Sequence, residues 1–363
     1  MLDCLVVGAG HSGLLCARML DEHGLNYSVA DESARIGDVW RRRPKNLRLF
    51  TSRQFCALGD FEMQGDPKGF AAGTEFADHL EQFALSKGLR IALSTRVRRL
   101  SRDGDGFVAE LSSGETVRAR TVINATGSNQ EPIVPEYAAK LSALVHQTTA
   151  LGFGSAANYT GRQTIAVVGD GASGRQIARE LSPSHQVTLA RGRVRKLVPN
   201  RVLGQDIFWW LSKLGILFAP TNSTVAKLLR KRDPIPAKAD NDARLAAAGV
   251  MLRGEAVDAA GQELIFDDGT RQHFDAVVWC VGYREQLDWV DLPRVKQAPN
   301  FAGSQGKSAE PGFFVVGRKW LSCRASELVL GAEKDAARVV AEVVSYCRSA
   351  RQNNPGKEVL ANV

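Results

Sequence analysis

Two glycine-rich stretches hold the residues best placed for chemistry. Residues 6–13 read Val-Val-Gly-Ala-Gly-His-Ser-Gly and residues 167–174 read Val-Val-Gly-Asp-Gly-Ala-Ser-Gly, an offset of 161 residues. That spacing is too long for a solenoid repeat and suits two copies of one nucleotide-binding unit. In each copy the first glycine (Gly8, Gly169) permits a tight turn, and the second (Gly10, Gly171) lets the backbone approach a pyrophosphate. The third (Gly13, Gly174) lets the following helix pack close to the strand. Ser12 and Ser173 occupy equivalent positions, where a helix N-terminus offers free amides and a positive dipole end to phosphate oxygens. The copies differ one strand later. Asp31, 18 residues after Gly13, suits the ribose hydroxyls of FAD or NAD, whereas Arg191, 17 residues after Gly174, suits the 2′-phosphate of NADPH.

Such loops work only between a strand and a helix, and both have that frame. Leu2 to Val7 reads as a buried strand, residues 14–20 carry apolar side chains at helical spacing, and Asn26 to Ala30 reads as the next strand. In the second copy Thr164 to Val168 is the strand, Ile177 to Leu181 lies on the helix, and His185 to Ala190 is the next strand. Between the units, Thr74 to Lys87 reads as a helix, and Leu89–Leu93, Val97–Leu100, Phe107–Leu111 and Thr116–Ile123 as strands, the last three a meander ending at Asn124-Ala125-Thr126-Gly127. A comparable meander is expected from Val250 to Trp279, ending at Cys280-Val281-Gly282-Tyr283. Residues 312–317 read as a late buried strand and Ser326 to about Arg348 as a long helix. The expected fold is α/β with two Rossmann-like dinucleotide-binding domains, the second inserted into the first. The boundaries are 1–155 and 275–350 for an FAD-binding domain, 160–274 for an NADPH-binding domain, and 351–363 for a frayed tail.

Composition narrows the remaining possibilities. With 363 residues, 44% hydrophobic and 24% charged, the chain is an ordinary globular protein of two or three domains. No apolar run reaches the roughly 18 residues of a membrane span. Met1-Leu2-Asp3 runs directly into a strand, so no signal peptide is expected and the cytoplasm is the predicted location. Six cysteines form no C-x-x-C pair and the histidines show no H-x-x-x-H spacing, which predicts reduced thiols and no metal site. The net charge of +8 does not require nucleic acid, because Arg191, Arg193, Arg195 and Lys196 crowd the proposed phosphate end. Arg41-Arg42-Arg43-Pro44-Lys45 reads as a loop near FAD phosphates or in solvent. Ile207-Phe208-Trp209-Trp210-Leu211 fits a membrane-touching or dimer-forming helix as well as a cover over the cleft, so a homodimer stays open. Lys227 to Lys238 reads as a basic surface loop. Neither glycine loop completes G-x-S-x-G, so serine hydrolysis is unsupported.

The order of these motifs resembles the class B flavin-dependent monooxygenases, which include flavin-containing, Baeyer-Villiger and plant auxin-forming monooxygenases. The features are the first G-x-G-x-x-G, an acidic strand end, Ile36-Gly37-Asp38-Val39-Trp40, Ala125-Thr126-Gly127, the second glycine loop, an arginine, and Val281-Gly282-Tyr283-Arg284. Gly204-Gln205-Asp206-Ile207-Phe208-Trp209-Trp210-Leu211, Gly317-Arg318-Lys319-Trp320 and Gly331-Ala332-Glu333-Lys334-Asp335-Ala336 look most like the short bacterial members, and the likeness runs from about 3 to 345. It implies FAD on Gly8, Gly10, Ser12, Gly13 and Asp31, with Gly37, Val39 and Trp40 near the isoalloxazine and Val97 on the adenine side. Ala125, Thr126 and Gly127 would mark the connection to the second domain. It implies NADPH on Gly169, Gly171, Ser173, Gly174 and Arg191 near Gly282, and a final helix aimed at the flavin from Gly331.

The resemblance implies a monooxygenase that uses NADPH and O2 to insert one oxygen atom into a small molecule, a soft sulfur or nitrogen nucleophile or a ketone, through a peroxyflavin. No catalytic triad is expected. The family's F-x-G-x-x-x-H-S fingerprint is reduced to Leu141-Ser142-Ala143-Leu144-Val145-His146-Gln147, and Phe50-Thr51-Ser52-Arg53-Gln54 stands where many members have a flavin-side asparagine, with Ser52 the nearest candidate. Glu327 falls either beside the substrate or at an exposed helix start. From the residues alone, an NADPH-dependent flavin reductase without oxygen insertion and a non-enzymatic flavin scaffold or redox sensor stay open.

Overall fold

The computed structural model describes residues 1–192 and 195–353. Arg193 of the basic stretch, and the expected tail from 354 onward, lie outside the described residues. An eight-stranded sheet has the order Val290–Asp291, Val97–Asp103, Gly106–Leu111, Thr116–Asn124, Leu2–Val7, Tyr27–Ala30, Ile91–Ala92, with Phe313–Val315 also on Thr116–Asn124. Thr116–Asn124 does double service. Its first residues close the antiparallel meander, and its last residues run parallel to both Leu2–Val7 and Phe313–Val315. The helix His11–Glu22 buries Leu14, Leu15, Cys16, Ala17, Met19 and Leu20. It packs in one apolar cluster with Ala336, Val339, Val340 and Val343 of the final helix, Val329–Asn353.

The second sheet is wholly parallel, in the order Met251–Arg253, Gln186–Ala190, Thr164–Val168, Ala276–Trp279, His146–Thr149. Such sheets are buried on both faces, so their strands read as continuous apolar runs. Thr164–Val168 and Ala276–Trp279 have that composition. The fold is therefore α/β with two Rossmann-like sheets, the second inserted between strands of the first.

The pairing moves the expected boundaries. His146–Thr149 and Ala276–Trp279, assigned from sequence to 1–155 and 275–350, both belong to the second sheet. The chain instead crosses at Glu131–Pro132 and Tyr283–Arg284, which pair antiparallel as a two-stranded ribbon. The expected second meander is a separate three-stranded sheet of Ala256–Ala260, Glu263–Phe266 and Arg271–His273. Lys227 to Lys238 begins as a helix rather than a loop. Thr224–Arg232 is N-capped by Ser223 Oγ, which accepts from Ala226 N at 3.2 Å, and its basic residues sit at the C-terminal end, where the dipole favours cations. The final helix starts at Val329, after a 3-10 turn at Arg324–Glu327, and its last three residues, 351–353, fall in the stretch assigned to a tail. No helix among the described residues is long and apolar enough to cross a membrane.

Candidate functional site

The two glycine loops have nearly the same geometry. Gly8 and Gly169 have φ of +106° and +118°, and a Cβ on either would stand 2.7 Å from Ala125 O or 2.3 Å from Cys280 O. A Cβ on Gly13 or Gly174 would stand 1.9 Å from the carbonyl of Gly8 or Gly169. A Cβ on Gly10 or Gly171 would meet nothing within 4 Å, because these two face open space at the start of their helices. Neither helix start has a side-chain cap, which leaves its first amides for a ligand. Asp31 is held by two amides: Oδ2 accepts from Ala9 N at 2.6 Å and Oδ1 from Ser33 N at 2.8 Å.

Both loops open onto one cavity of about 1650 Å³, larger than the roughly 300–1,000 Å³ of a single small-molecule pocket. Its lining includes Gly8, Gly10, Ser12, Asp31, Val39, Trp40, Val97 and Ala125-Thr126-Gly127 from the first unit, and Gly169, Gly171, Ser173 and Gly282 from the second. Six residues expected at the site do not line it. Gly13 and Gly174 serve helix-to-strand packing, as their Cβ clashes show. Gly37, at φ +87°, lies where a Cβ would be 2.7 Å from Ala77 Cα, and Gly331 where one would be 2.3 Å from Ala325 O. Both permit close packing of protein on protein. Leu328 and Val329, not Gly331, bring the start of the final helix to the cavity.

Arg191 turns away. Its Nη1 pairs with Asp242 Oδ2 at 2.7 Å, and the cation that lines the cavity at this strand end is Arg195. Ser52 is fully buried: its amide donates to Asp206 Oδ2 at 2.6 Å and its hydroxyl accepts from Gln54 Nε2 at 3.0 Å. The residue that reaches the cavity there is Thr51. Glu327 lines the cavity and accepts from Arg324 Nη1 at 2.5 Å, so it is an ion-paired wall residue and not a free helix-start carboxylate.

Residues 5–198 match the pyridine nucleotide-disulphide oxidoreductase family. An uncharacterized oxidoreductase CzcO-like protein of Geobacillus kaustophilus is 31% identical over 95% of this chain and 99% of its own. The chain belongs to the pyridine nucleotide-disulphide oxidoreductase family. The indole-3-pyruvate monooxygenase YUCCA1 of Oryza sativa subsp. japonica is 24% identical over 98% of this chain and 94% of its own. A solved flavin-containing monooxygenase from Stenotrophomonas maltophilia superposes with a TM-score of 0.79 at 25% identity, covering 95% of this chain and 99% of that one. Within the family this oxidoreductase is of the class B flavin monooxygenase type, for which FAD and NADPH are the expected cofactors.

The residues of this oxidoreductase fit both cofactors. Ser12 Oγ and His11 Nε2 are buried at the first helix start with no hydrogen-bond partner among the described residues, and both residues line the cavity. Burial pushes the His11 imidazole down to about 4, so it stays neutral beside the phosphate cradle. Of the basic run, Arg41 is paired with Asp38, Asp78 and Glu81, Arg42 Nη2 donates to Ser33 Oγ at 3.1 Å, and Arg43 Nη1 donates to Tyr283 OH at 2.8 Å. Arg42 and Arg43 line the cavity. The aromatic helix, Ile207–Lys213, packs inward through Phe208, which stacks on Phe50 at 5.7 Å inside an apolar cluster with Leu217, Ala325 and Leu328.

Sequence reasoning missed several residues of this oxidoreductase. Arg318, 2% exposed, pairs with Glu285 at 2.8 Å and donates to Thr126 Oγ1 at 3.2 Å, which ties the two crossings together. Asp206 joins the inserted unit to the 50–55 loop through Ser52 N and Phe208 N, and burial raises its carboxyl against the lowering effect of those amides. The Gly-Arg-Lys-Trp and Gly-Gln-Asp motifs marked both places without indicating what they touch. Among the described residues no group of three or more His, Cys, Asp or Glu is placed to hold a metal ion.

Proposed function

We propose that the protein is an NADPH-dependent, FAD-containing monooxygenase that transfers one oxygen atom of O2 to a small soft nucleophile, sulfur or nitrogen, or to a ketone. The observation that carries this reading is the single cavity onto which both dinucleotide cradles open, with no pair of thiols to receive electrons there. Cys280 is the one cysteine on its lining among the described residues, and burial pushes that thiol up to about 12, so it holds its proton at neutral pH. Disulfide exchange needs a thiolate and a second sulfur. When bound, FAD accepts a hydride from NADPH and passes the electrons to O2.

The protein's own residues bind, orient and exclude water. The amides after Gly10 and Gly171 hold the two pyrophosphates, and Asp31, fixed by Ala9 N and Ser33 N, holds the FAD ribose. Arg195, lining the cavity where Arg191 does not, meets the 2′-phosphate and sets the preference for NADPH over NADH. Leu49, Phe50, Leu328 and Val329 form an apolar wall, backed by the helix Ile207–Lys213, that keeps water from the flavin end. The start of the final helix, which reaches the cavity at Leu328 and Val329, would present its positive end to the flavin, where negative charge develops on reduction. The rice relative is named for indole-3-pyruvate. We carry over oxygen transfer from it, not its substrate. With six free thiols and NADPH as reductant, we place the reaction in the cytoplasm.

A second reading has one observation in its favour: Ser52, where many members carry a flavin-side asparagine, does not reach the cavity. On that reading the enzyme is an NADPH-dependent flavin reductase that makes no oxygenated product. Anaerobic reduction with NADPH, followed by rapid mixing with O2, separates the two. A transient absorbance band distinct from reduced and oxidised flavin, with one product oxygen per NADPH, is the expected outcome. Direct return to oxidised flavin with stoichiometric hydrogen peroxide in the presence of sulfides, amines and ketones assigns the reductase.

A further inference from the structure

One part of the cavity wall lies outside both glycine loops. Lys319 and Trp320 follow Gly317, whose Cβ position is 3.1 Å from Ser12 Oγ, so they flank the first cradle on the FAD side. Facing them is Arg230, from the helix Thr224–Arg232 of the inserted unit, with its guanidinium 4.6 Å from the centre of the Trp320 ring. All three line the cavity.

The local charges do not cancel. Arg230 has no hydrogen-bond or carboxylate partner among the described residues, and the nearby Asp233 is paired with Arg195 at 3.3 Å. Glu327 is taken by Arg324 at 2.5 Å and stands 3.9 Å from Lys319 Nζ. Two cations thus share the Glu327 carboxylate, and Arg230 adds a third charge without one. A guanidinium held over an indole face at 4.6 Å through a cation-π contact keeps N–H donors available for a carboxylate. The backbone adds a second sign of a built site. Trp320 has φ +57°, a left-handed conformation that a bulky residue adopts only where its surroundings hold it, and it lines the cavity.

We propose that Arg230 and Lys319, with Trp320 as the stacking platform, form a carboxylate-binding subsite that selects small organic acids as substrates. The acid group is held at this edge, and the apolar wall of Leu49, Phe50 and Val329 takes the oxidisable body. This rests on the monooxygenase reading for what happens to the bound acid, but not for its binding. The pyrophosphate is met at Gly171 and the 2′-phosphate at Arg195, which leaves Arg230 for the substrate.

The test is calorimetric titration of the FAD-loaded enzyme, saturated with NADP⁺, using (phenylthio)acetate and its primary amide, in the natural protein and in Arg230→Gln and Trp320→Leu. The expected result is an acid bound on the order of tenfold more tightly than the amide. Arg230→Gln should reduce that preference to within about twofold and leave the NADPH Kd unchanged, while Trp320→Leu weakens acid and amide alike. Equal binding of acid and amide by the natural protein overturns the proposal, as does an Arg230→Gln enzyme that loses NADPH affinity but keeps its preference for the acid. Arg230 is exposed, so flavin content and melting temperature should match the natural protein and exclude misfolding. Sulfoxide formation is scored separately. Acid preference without sulfoxide leaves the subsite standing and removes the monooxygenase reading.

Discussion

The two nucleotide-binding units share a loop backbone and differ in what surrounds it. In the first, the helix after the loop is sandwiched under the final helix, and Leu14 and Leu15 are fully buried. In the second, the residue equivalent to Leu14 is Arg175, which joins Asp170 at 2.6 Å and Asp242 at 2.9 Å, while Asp242 also holds Arg191 and Asp240 holds Arg179. Both helices pack on apolar residues, Leu14 and Leu15 in one and Ile177, Ala178 and Leu181 in the other, but only the second adds an ionic lattice. The difference reaches the ligands. Asp31 is locked toward the cavity by neighbours in its own loops, whereas Arg191 is drawn off by an aspartate from a distant helix, Asp242–Ala247. A glycine loop can be copied as a local rule, but the side chain at the strand end answers to tertiary neighbours.

The sharpest way to break the likeness is a methyl group at the third glycine of each loop. With 1.9 Å to the preceding carbonyl, Gly13→Ala should cost more than about 4 kcal/mol locally and yield protein without flavin. Gly174→Ala should keep its flavin and lose at least about 100-fold in the rate of reduction by NADPH. Flavin absorbance after purification and anaerobic stopped-flow check the pair, and loss of flavin in both would mean that the units are not separable.

Next is Asp31→Asn. It weakens charged hydrogen bonds to Ala9 N and Ser33 N as well as to the ribose, and about 3 kcal/mol, or ~100-fold in FAD Kd, is expected by equilibrium titration. An unchanged Kd would separate Asp31 from FAD binding altogether.

The first unit also carries a titratable group that the second replaces with Ala172. His11 is held near 4 when folded, against an ordinary value of 6.5. A depressed imidazole means that the unfolded chain binds the extra proton first. Its stabilisation is therefore complete above about pH 6.5 and lost as pH falls toward 4, about 2 kcal/mol by pH 5. Urea unfolding of the flavin-free protein at pH 7 and pH 5 should show this loss, and His11→Ala should flatten it. A variant as acid-sensitive as the parent places the effect elsewhere.

The smallest effect decides between two arginines. Arg195→Ala should raise the KM for NADPH about tenfold, leaving that for NADH unchanged, while Arg191→Ala should shift the NADPH KM by less than about threefold. The reverse pattern would mean that Arg191 leaves Asp242 when the nucleotide binds.

What could be read beforehand follows the same division. The strands Leu2–Val7 and Thr164–Val168 match the sequence reading residue for residue, because an apolar run before a glycine loop allows little else. Gly8, Gly10, Gly169 and Gly171 line the cavity, in loops whose duty belongs to the backbone. Gly37 and Gly331 were harder. A glycine that admits a ligand and one that admits a neighbouring residue look alike until Ala77 and Ala325 are seen beside them. The 224–232 helix was obscured by its basic residues and by Pro234, although Ser223 offered a capping signal. Trp320 and Arg230 come from segments 90 residues apart, and no local pattern announces their contact.

The crossing ribbon has a practical meaning of its own. Because Glu131–Pro132 and Tyr283–Arg284 are neighbouring strands, everything between them leaves and rejoins the flavin-side sheet at a single point. Chain segments with adjacent ends are the ones that tolerate being cut out, replaced or inserted. The inserted half is thus a cassette, and exchanging it at this ribbon for a counterpart from a relative should, on the proposed function, give the same oxidising centre a different reductant.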